Sequence, residues 1–180
     1  MTDCHATAAS SKAQLGHLQR HLIFWPVAIV GLALDLATKK LVFSLLQTGG
    51  HIQIIPGLLQ LRLALNDGAA FSLAAGKYWV LVSIGILAFA AVIVWLFVTK
   101  GLTRLMSVGL GMIAAGIGGN LYDRLFNNGL VRDFIDLYVG RWHWPTFNIA
   151  DTLLCIGVGC WFLASLLTDR PCQRHDLPRT

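Results

Sequence analysis

The sequence contains no glutamate, and charged residues of any kind are scarce. Charged side chains make up 13% of the 180 residues, whereas hydrophobic residues make up 56%. Because a soluble domain usually carries about 25% charged residues, this chain lacks the polar groups needed to cover a globular surface. The same apolar composition excludes an intrinsically disordered chain. The composition therefore predicts one membrane domain.

Motifs for several functional classes are also missing. The cysteines at positions 4, 155, 160 and 172 have neither metal-ligand spacing nor the pattern of a disulfide framework, so we predict free thiols. The six histidines are scattered, and no Gly-x-Ser-x-Gly nucleophile motif is present. The net charge of +5 comes without an RNA-binding signature, a zinc finger or a basic helix. We therefore predict no metal, no cofactor and no nucleic-acid partner, and basic ends that face anionic lipid.

Four apolar segments predict membrane-spanning helices. They cover residues 22–43, 78–98, 105–121 and 152–167. A helix needs about 20 apolar residues to cross the hydrocarbon core, with a range of roughly 17 to 25. The second segment meets this length without a charge, and the last two meet it once their polar ends lie at the interface. We predict an all-α membrane protein with four transmembrane helices.

Four crossings place both termini on one side of the membrane. Lysine and arginine divide seven against seven between the two sides, so their raw count does not decide the orientation. The short turn 99–103, with Lys100 and the nearby Arg104, favours a cytoplasmic hairpin. We predict polar cytoplasmic tails at 1–21 and 169–180 around a membrane domain at 22–168, and no cleaved signal peptide.

The two longer loops then lie outside the membrane. The loop 44–77 contains apolar residues that alternate with polar or small ones, which predicts short strands. These residues are Ile52 and Ile54, followed by Leu59, Leu61, Leu63 and Leu65. In the loop 126–147, Trp142 and Trp144 are typical of the membrane interface. We predict a small extracytoplasmic β-cradle on the outer face.

Two aspartates lie at the helix ends that face this cradle. Asp123 closes the third helix and Asp151 opens the fourth, and each follows an asparagine by three residues, Asn120 and Asn148. This spacing places amide and carboxylate on one helix face, so we expect each amide to orient its own aspartate. Two alternatives stay open. Asp123 pairs with the adjacent Arg124, or Asp151 stabilises the start of its helix.

Asp133 and Asp136 lie between these helix ends. On a strand, Asp133 shares a face with Val131 and Ile135, whose apolar side chains desolvate it and raise its pKa. A solvated loop acid is the alternative. Two neighbouring carboxylates that share a proton can act as base and acid, which suits hydrolysis of an amide by an activated water.

Asp35 and Lys39 interrupt the outer half of the first helix, four residues apart on one face. One interpretation is an intrahelical pair in which Lys39 extends toward the interface. The other is support for a polar site, because an ionisable group in a membrane helix is costly. The glycines of the third helix predict close helix packing. They are Gly109, Gly111, Gly116, Gly118 and Gly119.

Together these segments resemble the lipoprotein signal peptidases, also called signal peptidase II, over roughly residues 24–167. The matching stretches are Asp35-Leu-Ala-Thr-Lys39, Asn66-Asp-Gly-Ala-Ala-Phe71, Gly119-Asn-Leu-Tyr-Asp-Arg124, Val131-Arg-Asp-Phe-Ile135 and Phe147-Asn-Ile-Ala-Asp151. The resemblance implies an aspartic endopeptidase of the bacterial inner membrane that cuts the signal peptide from prolipoproteins just before a diacylglyceryl-modified Cys. It implies lipid-modified prolipoproteins as substrates, contact with membrane lipids, an active site at the periplasmic face and no obligate protein partner.

The resemblance matches the two catalytic aspartates to Asp133 and Asp151. Spacing alone favours Asp123 with Asp151 because of the repeated Asn-x-x-Asp, but the resemblance makes Asp123 a supporting residue. The complete set of supporting residues is Asp35, Lys39, Asn66, Gly68, Asn120, Asp123, Arg124, Asn148 and Ala150.

The chain departs from the family pattern at three positions. Leu36 stands where Gln is frequent, Asp67 where a small, polar or basic residue is usual, and Arg132 where Val is common. On a strand, the side chain of Arg132 points away from Asp133. We therefore expect activity to survive this departure, with a shift in local pKa or in lipid contacts.

Two other classes of protein remain as alternatives. In presenilin-like intramembrane aspartic proteases, Tyr122-Asp123 would be half of the signature, but the Gly-x-Gly-Asp half is absent. A small transporter or structural membrane protein would pair its aspartates with Arg and Lys and scatter them through the helices. Instead, four of the nine aspartates lie between Asp123 and Asp151 inclusive.

Overall fold

The computed structural model describes residues 16–47, 49–68 and 76–168. Its helices and strands, in chain order, are α1 His17–Leu45, β1 His51–Ile55, β2 Leu59–Asn66, α2 Tyr78–Val98, α3 Arg104–Phe126, β3 Val131–Val139, β4 Trp142–His143 and α4 Ile149–Thr168. The C-terminal tail, most of the N-terminal tail and residues 69–71 of the Asn-Asp-Gly stretch lie outside the described residues.

The four predicted helices are all present, and each is long and apolar enough to cross a membrane. Helix α2 has the predicted bounds, whereas the other three extend further than the apolar segments. Helix α1 begins at His17 rather than at residue 22, because a polar side chain before the apolar run is hydrogen-bonded to a neighbouring helix. The guanidinium of Arg20 is buried and donates hydrogen bonds to the carbonyl oxygens of Phe97 and Thr99 at the end of α2. These carbonyls have no partner within their own helix.

The strands form one antiparallel sheet in the order β1-β2-β3-β4. This confirms the strands predicted from alternation and the small sheet beside the four helices. Phe134 of β3 is buried against Val42 and Leu46, at the C-terminal end of α1. The sheet therefore rests on the end of the bundle where α1 and α3 finish and α4 begins.

Helix α3 lies against all three other helices, and its glycines allow the close approach. A Cβ atom at Gly109 would lie 2.7 Å from the carbonyl oxygen of Gly157, and one at Gly116 would lie 2.5 Å from that of Ala150. Gly111 faces the backbone of Phe24 in the same way, at 2.9 Å. Only backbone without a side chain fits at these three positions, so the predicted close packing is confirmed there. Gly118 is different, since its Cβ would meet neighbours at an ordinary 3.7 Å.

Candidate active site

Asp133 lies on β3 and is only 1% exposed. Val131, two residues earlier, is also buried, as the alternation on a strand predicts, so the solvated-loop alternative is wrong. The Asp133 carboxylate accepts hydrogen bonds from the side-chain amides of Asn66, at 3.0 Å, and Asn148, at 2.6 Å. Burial raises the pKa of Asp133 to about 6, and the nearby charge of Asp151 adds to the rise, although both amides oppose it.

Asp151 lies in the first turn of α4 and takes part in a reciprocal cap with Asn148. The backbone N–H of Asp151 donates to Asn148 Oδ1 at 3.0 Å, and the backbone N–H of Asn148 donates to Asp151 Oδ2 at 3.2 Å. This arrangement satisfies backbone groups that a helix start leaves unpaired. The other carboxylate oxygen of Asp151 accepts from the amide of Asn120 at 2.8 Å. Asp151 therefore stabilises its helix and also faces the neighbouring helix α3.

The side-chain amides are crossed between the two helices, so the expectation that each asparagine orients its own aspartate through its amide is wrong. Asn120 of α3 donates to Asp151, and Asn148 donates to Asp133 and to Asn120 Oδ1, the latter at 3.1 Å. The reason is that antiparallel packing brings the two asparagines together and that Asp123 already has other donors. Asn148 consequently touches both Asp133 and Asp151.

Asp123 is fully buried and is held mainly by cationic groups. Its Oδ2 lies 3.2 Å from Lys39 Nζ and accepts from the backbone N–H of Arg132 at 2.9 Å. Its Oδ1 contacts two guanidinium nitrogens of Arg132, at 2.5 and 3.1 Å. The alternative pairing of Asp123 with Arg124 is therefore wrong. Asp133 and Asp151, by contrast, accept hydrogen bonds from neutral amides.

Lys39 is also fully buried, so the interpretation in which it extends toward the interface is wrong. Its ammonium lies 2.8 Å from Asp35 Oδ2 and donates to Asn120 Oδ1 at 3.1 Å, in addition to its contact with Asp123. Asp35 Oδ1 accepts from the backbone N–H of Ala150 at 2.8 Å. The pair Asp35–Lys39 thus links α1 to the start of α4 and to the end of α3.

Arg124 connects the site to the end of β2. Its guanidinium donates to the carbonyl oxygens of Gly68, at 2.8 Å, and Asn120, at 3.3 Å. The backbone N–H of Gly68 in turn donates to Asn66 Oδ1 at 2.9 Å, which is an Asx turn. Each residue predicted for the site therefore contacts at least one other, and the whole set lies at one end of the bundle.

Two contacts were not anticipated from the sequence. The first is the ion pair of Arg132 with Asp123, for which the sequence predicted only that Arg132 points away from Asp133. The second is a cluster around Asp136, whose carboxylate contacts Gln60 at 2.6 Å, His143 at 2.9 Å and Arg62 at 3.2 Å. Burial raises the pKa of Asp136, but the hydrogen bonds from Gln60 and His143 and the charge of Arg62 outweigh it and hold this pKa below its usual range.

The chemistry open to the site is acid–base catalysis by carboxyl groups. Among the described residues, no group of three or more histidine, cysteine or aspartate side chains could hold a metal ion. Two carboxyl groups bridged by Asn148, one of them with a raised pKa, can hold one proton between them. The ionised group can then take a proton from water while the protonated one donates.

Comparisons with known proteins agree with this chemistry. Residues 27–167 match the family model for signal peptidase (SPase) II. The lipoprotein signal peptidase of Photorhabdus laumondii is 39% identical over 148 residues, which are 80% of this chain and 87% of that protein. The one of Desulforapulum autotrophicum is 41% identical over 139 residues, 73% of this chain and 84% of that protein. A bacterial membrane enzyme solved by the in meso method at 2.3 Å resolution gives a TM-score of 0.75 at 28% identity, covering 93% of this chain and 98% of that one. The chain belongs to the signal peptidase II family of aspartic peptidases.

Proposed function

We propose that this protein is a membrane aspartic endopeptidase that removes the signal peptide from diacylglyceryl-modified prolipoproteins, cutting just before the lipidated Cys. Family membership supports the removal of signal peptides from prolipoproteins. The observation that carries the proposal is the contact of Asn148 with both Asp133 and Asp151. It joins two buried or half-buried carboxyl groups from different elements at one end of four membrane helices.

In the proposed reaction, Asp133 and Asp151 are the catalytic pair. One of them, ionised, takes a proton from a water molecule that attacks the scissile carbonyl carbon. The other, protonated, donates its proton to the carbonyl oxygen. When the tetrahedral intermediate collapses, the first aspartate passes the proton it took from water to the leaving amine, and the second regains a proton from a hydroxyl group of the intermediate. The raised pKa of Asp133 favours a pair that carries a single proton, because burial first, and the charge of Asp151 second, disfavour ionisation of Asp133.

The remaining site residues would support this pair. Neutral amides from Asn66, Asn120 and Asn148 fix the carboxyl groups without adding a positive charge that would lock either one in its ionised form. Asp35 holds the first turn of α4 through Ala150, as Lys39 and Asp123 hold the end of α3. The guanidinium of Arg124, fixed on Gly68, lies within electrostatic range of both proposed catalytic aspartates and would stabilise developing charge.

We propose a bacterial inner-membrane location with both termini in the cytoplasm and the site at the periplasmic face. The substrate's lipid chains would lie in the bilayer, while its scissile bond reaches the outer surface below the sheet. The partners in this scheme are lipid-modified prolipoproteins and membrane lipids, with no nucleic acid and no obligate protein partner. A reporter that is active only in the periplasm, fused at the C-terminus, should be inactive in cells, and an active fusion would overturn the orientation.

The activity is tested by incubating the purified full-length protein, in detergent with lipid, with a diacylglyceryl-modified prolipoprotein. Wild type should release the signal peptide, and Asp133→Asn and Asp151→Asn should each reduce cleavage by about 10³-fold or more while remaining folded. Asp67→Asn is the matched control, because Asp67 is exposed. This variant should cleave the substrate as wild type does. Substantial cleavage by either of the first two variants would overturn the catalytic assignment, and no cleavage by wild type would overturn the proposed activity.

A further inference from the structure

The guanidinium of Arg132 supplies the second positive charge of the buried cluster behind the proposed catalytic pair. Arg132 is the residue before Asp133 on β3, and its side chain turns back to contact Asp123 Oδ1 with two nitrogens. Such two-pronged contacts between arginine and carboxylate are among the strongest hydrogen-bonded ion pairs. The side chain is 20% exposed, whereas the Asp123 carboxylate is fully buried.

The charges of this cluster balance only when Arg132 is counted. Lys39 lies between two carboxylates, those of Asp35 and Asp123, and all three groups are fully buried. One ammonium cannot neutralise two carboxylates, so the cluster without Arg132 would carry one uncompensated negative charge. Burial makes such a charge costly and makes its influence on neighbouring groups strong, because little water screens it.

Short contacts connect this cluster to the proposed catalytic pair. Lys39 donates to Asn120, whose amide donates to Asp151, while the backbone of Arg132 is bonded directly to that of Asp133. An added negative charge near two carboxyl groups favours their protonated forms. The charged groups of the surrounding helices that interact electrostatically with the pair are Lys39 of α1 and Arg124 of α3, and Lys39 in turn contacts Asp35 and Asp123.

We infer that Arg132 is a positioning residue that, by neutralising Asp123, sets the pH range over which the Asp133–Asp151 pair holds a single proton. The inference rests on the proposed function, since it concerns the same site. It assigns a role to a side chain that never faces the scissile bond, because alternation along β3 directs it away from Asp133.

The test is the pH dependence of kcat/KM for prolipoprotein cleavage by the full-length protein. On the alkaline side of the pH profile, kcat/KM falls where the pair loses its last proton. In Arg132→Gln, this alkaline limb of the profile should move to higher pH by about 1 unit. Arg132→Lys keeps the positive charge, so the pH position of the alkaline limb should stay unchanged. Its kcat/KM should be lower, because the two-pronged contact with Asp123 is lost. Arg62→Gln is the matched control, because Arg62 also pairs with a buried aspartate of the sheet, Asp136, and its limb should not move.

A balancing variant covers the case in which Arg132→Gln does not fold. Asp123→Asn alone leaves an excess positive charge and should move the alkaline limb to lower pH. The double variant Asp123→Asn with Arg132→Gln should return the limb to its wild-type pH. Loss of activity by the same factor at every pH, or an equal shift in Arg62→Gln, would overturn the inference and leave the proposed function standing. Failure of the wild type to cleave at any pH would overturn the proposed function and the inference with it.

Discussion

The close approach of α3 and α4 predicts different stabilities for two neighbouring glycine substitutions. In Gly116→Ala, the new Cβ would lie 2.5 Å from the backbone oxygen of Ala150 and 2.6 Å from Leu154 Cγ. The oxygen belongs to the first turn of α4 and cannot rotate away. In Gly118→Ala, the new Cβ meets side-chain carbons of Leu32 and Phe89 at 3.7 Å.

Both variants gain about 1 kcal/mol of helix propensity, since alanine replaces glycine inside a helix. Only Gly116→Ala adds the cost of overpacking, about 1–3 kcal/mol. The difference between the two variants isolates this cost. Because the melting temperature of a protein of this size moves by about 2–4 °C per kcal/mol, Gly116→Ala should melt about 2–12 °C below Gly118→Ala.

Cleavage should separate the two variants as well. Relief of the contact at Gly116 requires α4 to move outward, and Asp151 follows Ala150 directly in the moving turn. Displacement of a reacting group by about 1 Å can cost about 100-fold in rate. Thermal unfolding and prolipoprotein cleavage are measured in the same detergent. A Gly116→Ala protein as stable and as active as Gly118→Ala would show that the helices do not pack as closely as described.

Three further predictions concern the buried polar groups. Lys39→Met leaves two buried carboxylates with one fewer cation, which should lower the free energy of unfolding by about 3–5 kcal/mol. The melting temperature should fall accordingly, and an unchanged melting temperature would contradict the buried ion pairs. Asn148→Ala should lose about 1–2 kcal/mol of stability from the missing helix cap, and most of its cleavage activity. Asn148→Ser keeps a capping oxygen and should recover the stability, but it lacks the amide donor to Asp133 and should not recover cleavage. The pKa of Asp136 is depressed in the folded state, so its stabilisation is present above its unfolded pKa of about 3.8 and is lost as the pH falls through the folded value. Asp136→Asn should therefore lower the melting temperature more at pH 7 than at pH 3, and equal losses at both would refute this sign.

The helices and the sheet could be predicted because their signals are local. A run of about 20 apolar residues or an alternation such as Ile52 and Ile54 depends only on neighbours in the sequence. The helix ends were harder to predict from the sequence, because the start of α1 at His17 depends on hydrogen bonds from Arg20 to carbonyl groups at the end of α2. The residues proposed for the site come from family motifs, whereas spacing alone favours Asp123 over Asp133 for the catalytic pair.

The partners within the site could not be predicted from spacing. Whether Asn120 faces Asp123 or Asp151 depends on the rotation of α3 against α4, which no local pattern specifies. The cluster at Asp136 depends on register, because β2 and β3 pair Gln60 with Asp136 across an irregularity between Leu61 and Ala64. Each of these choices is settled by tertiary packing.

The hydrogen bond from the Ala150 backbone to Asp35 joins the first helix to the last, and it has a consequence for synthesis on the ribosome. Every residue up to Asp133 can have left the ribosome while the chain still lacks Asn148 and Asp151. Until α4 has emerged and docked, the carboxyl group on β3 has neither its bridging amide nor its partner. A nascent or truncated chain that ends before α4 is therefore expected to lack the proposed activity, which would begin only once α4 has docked.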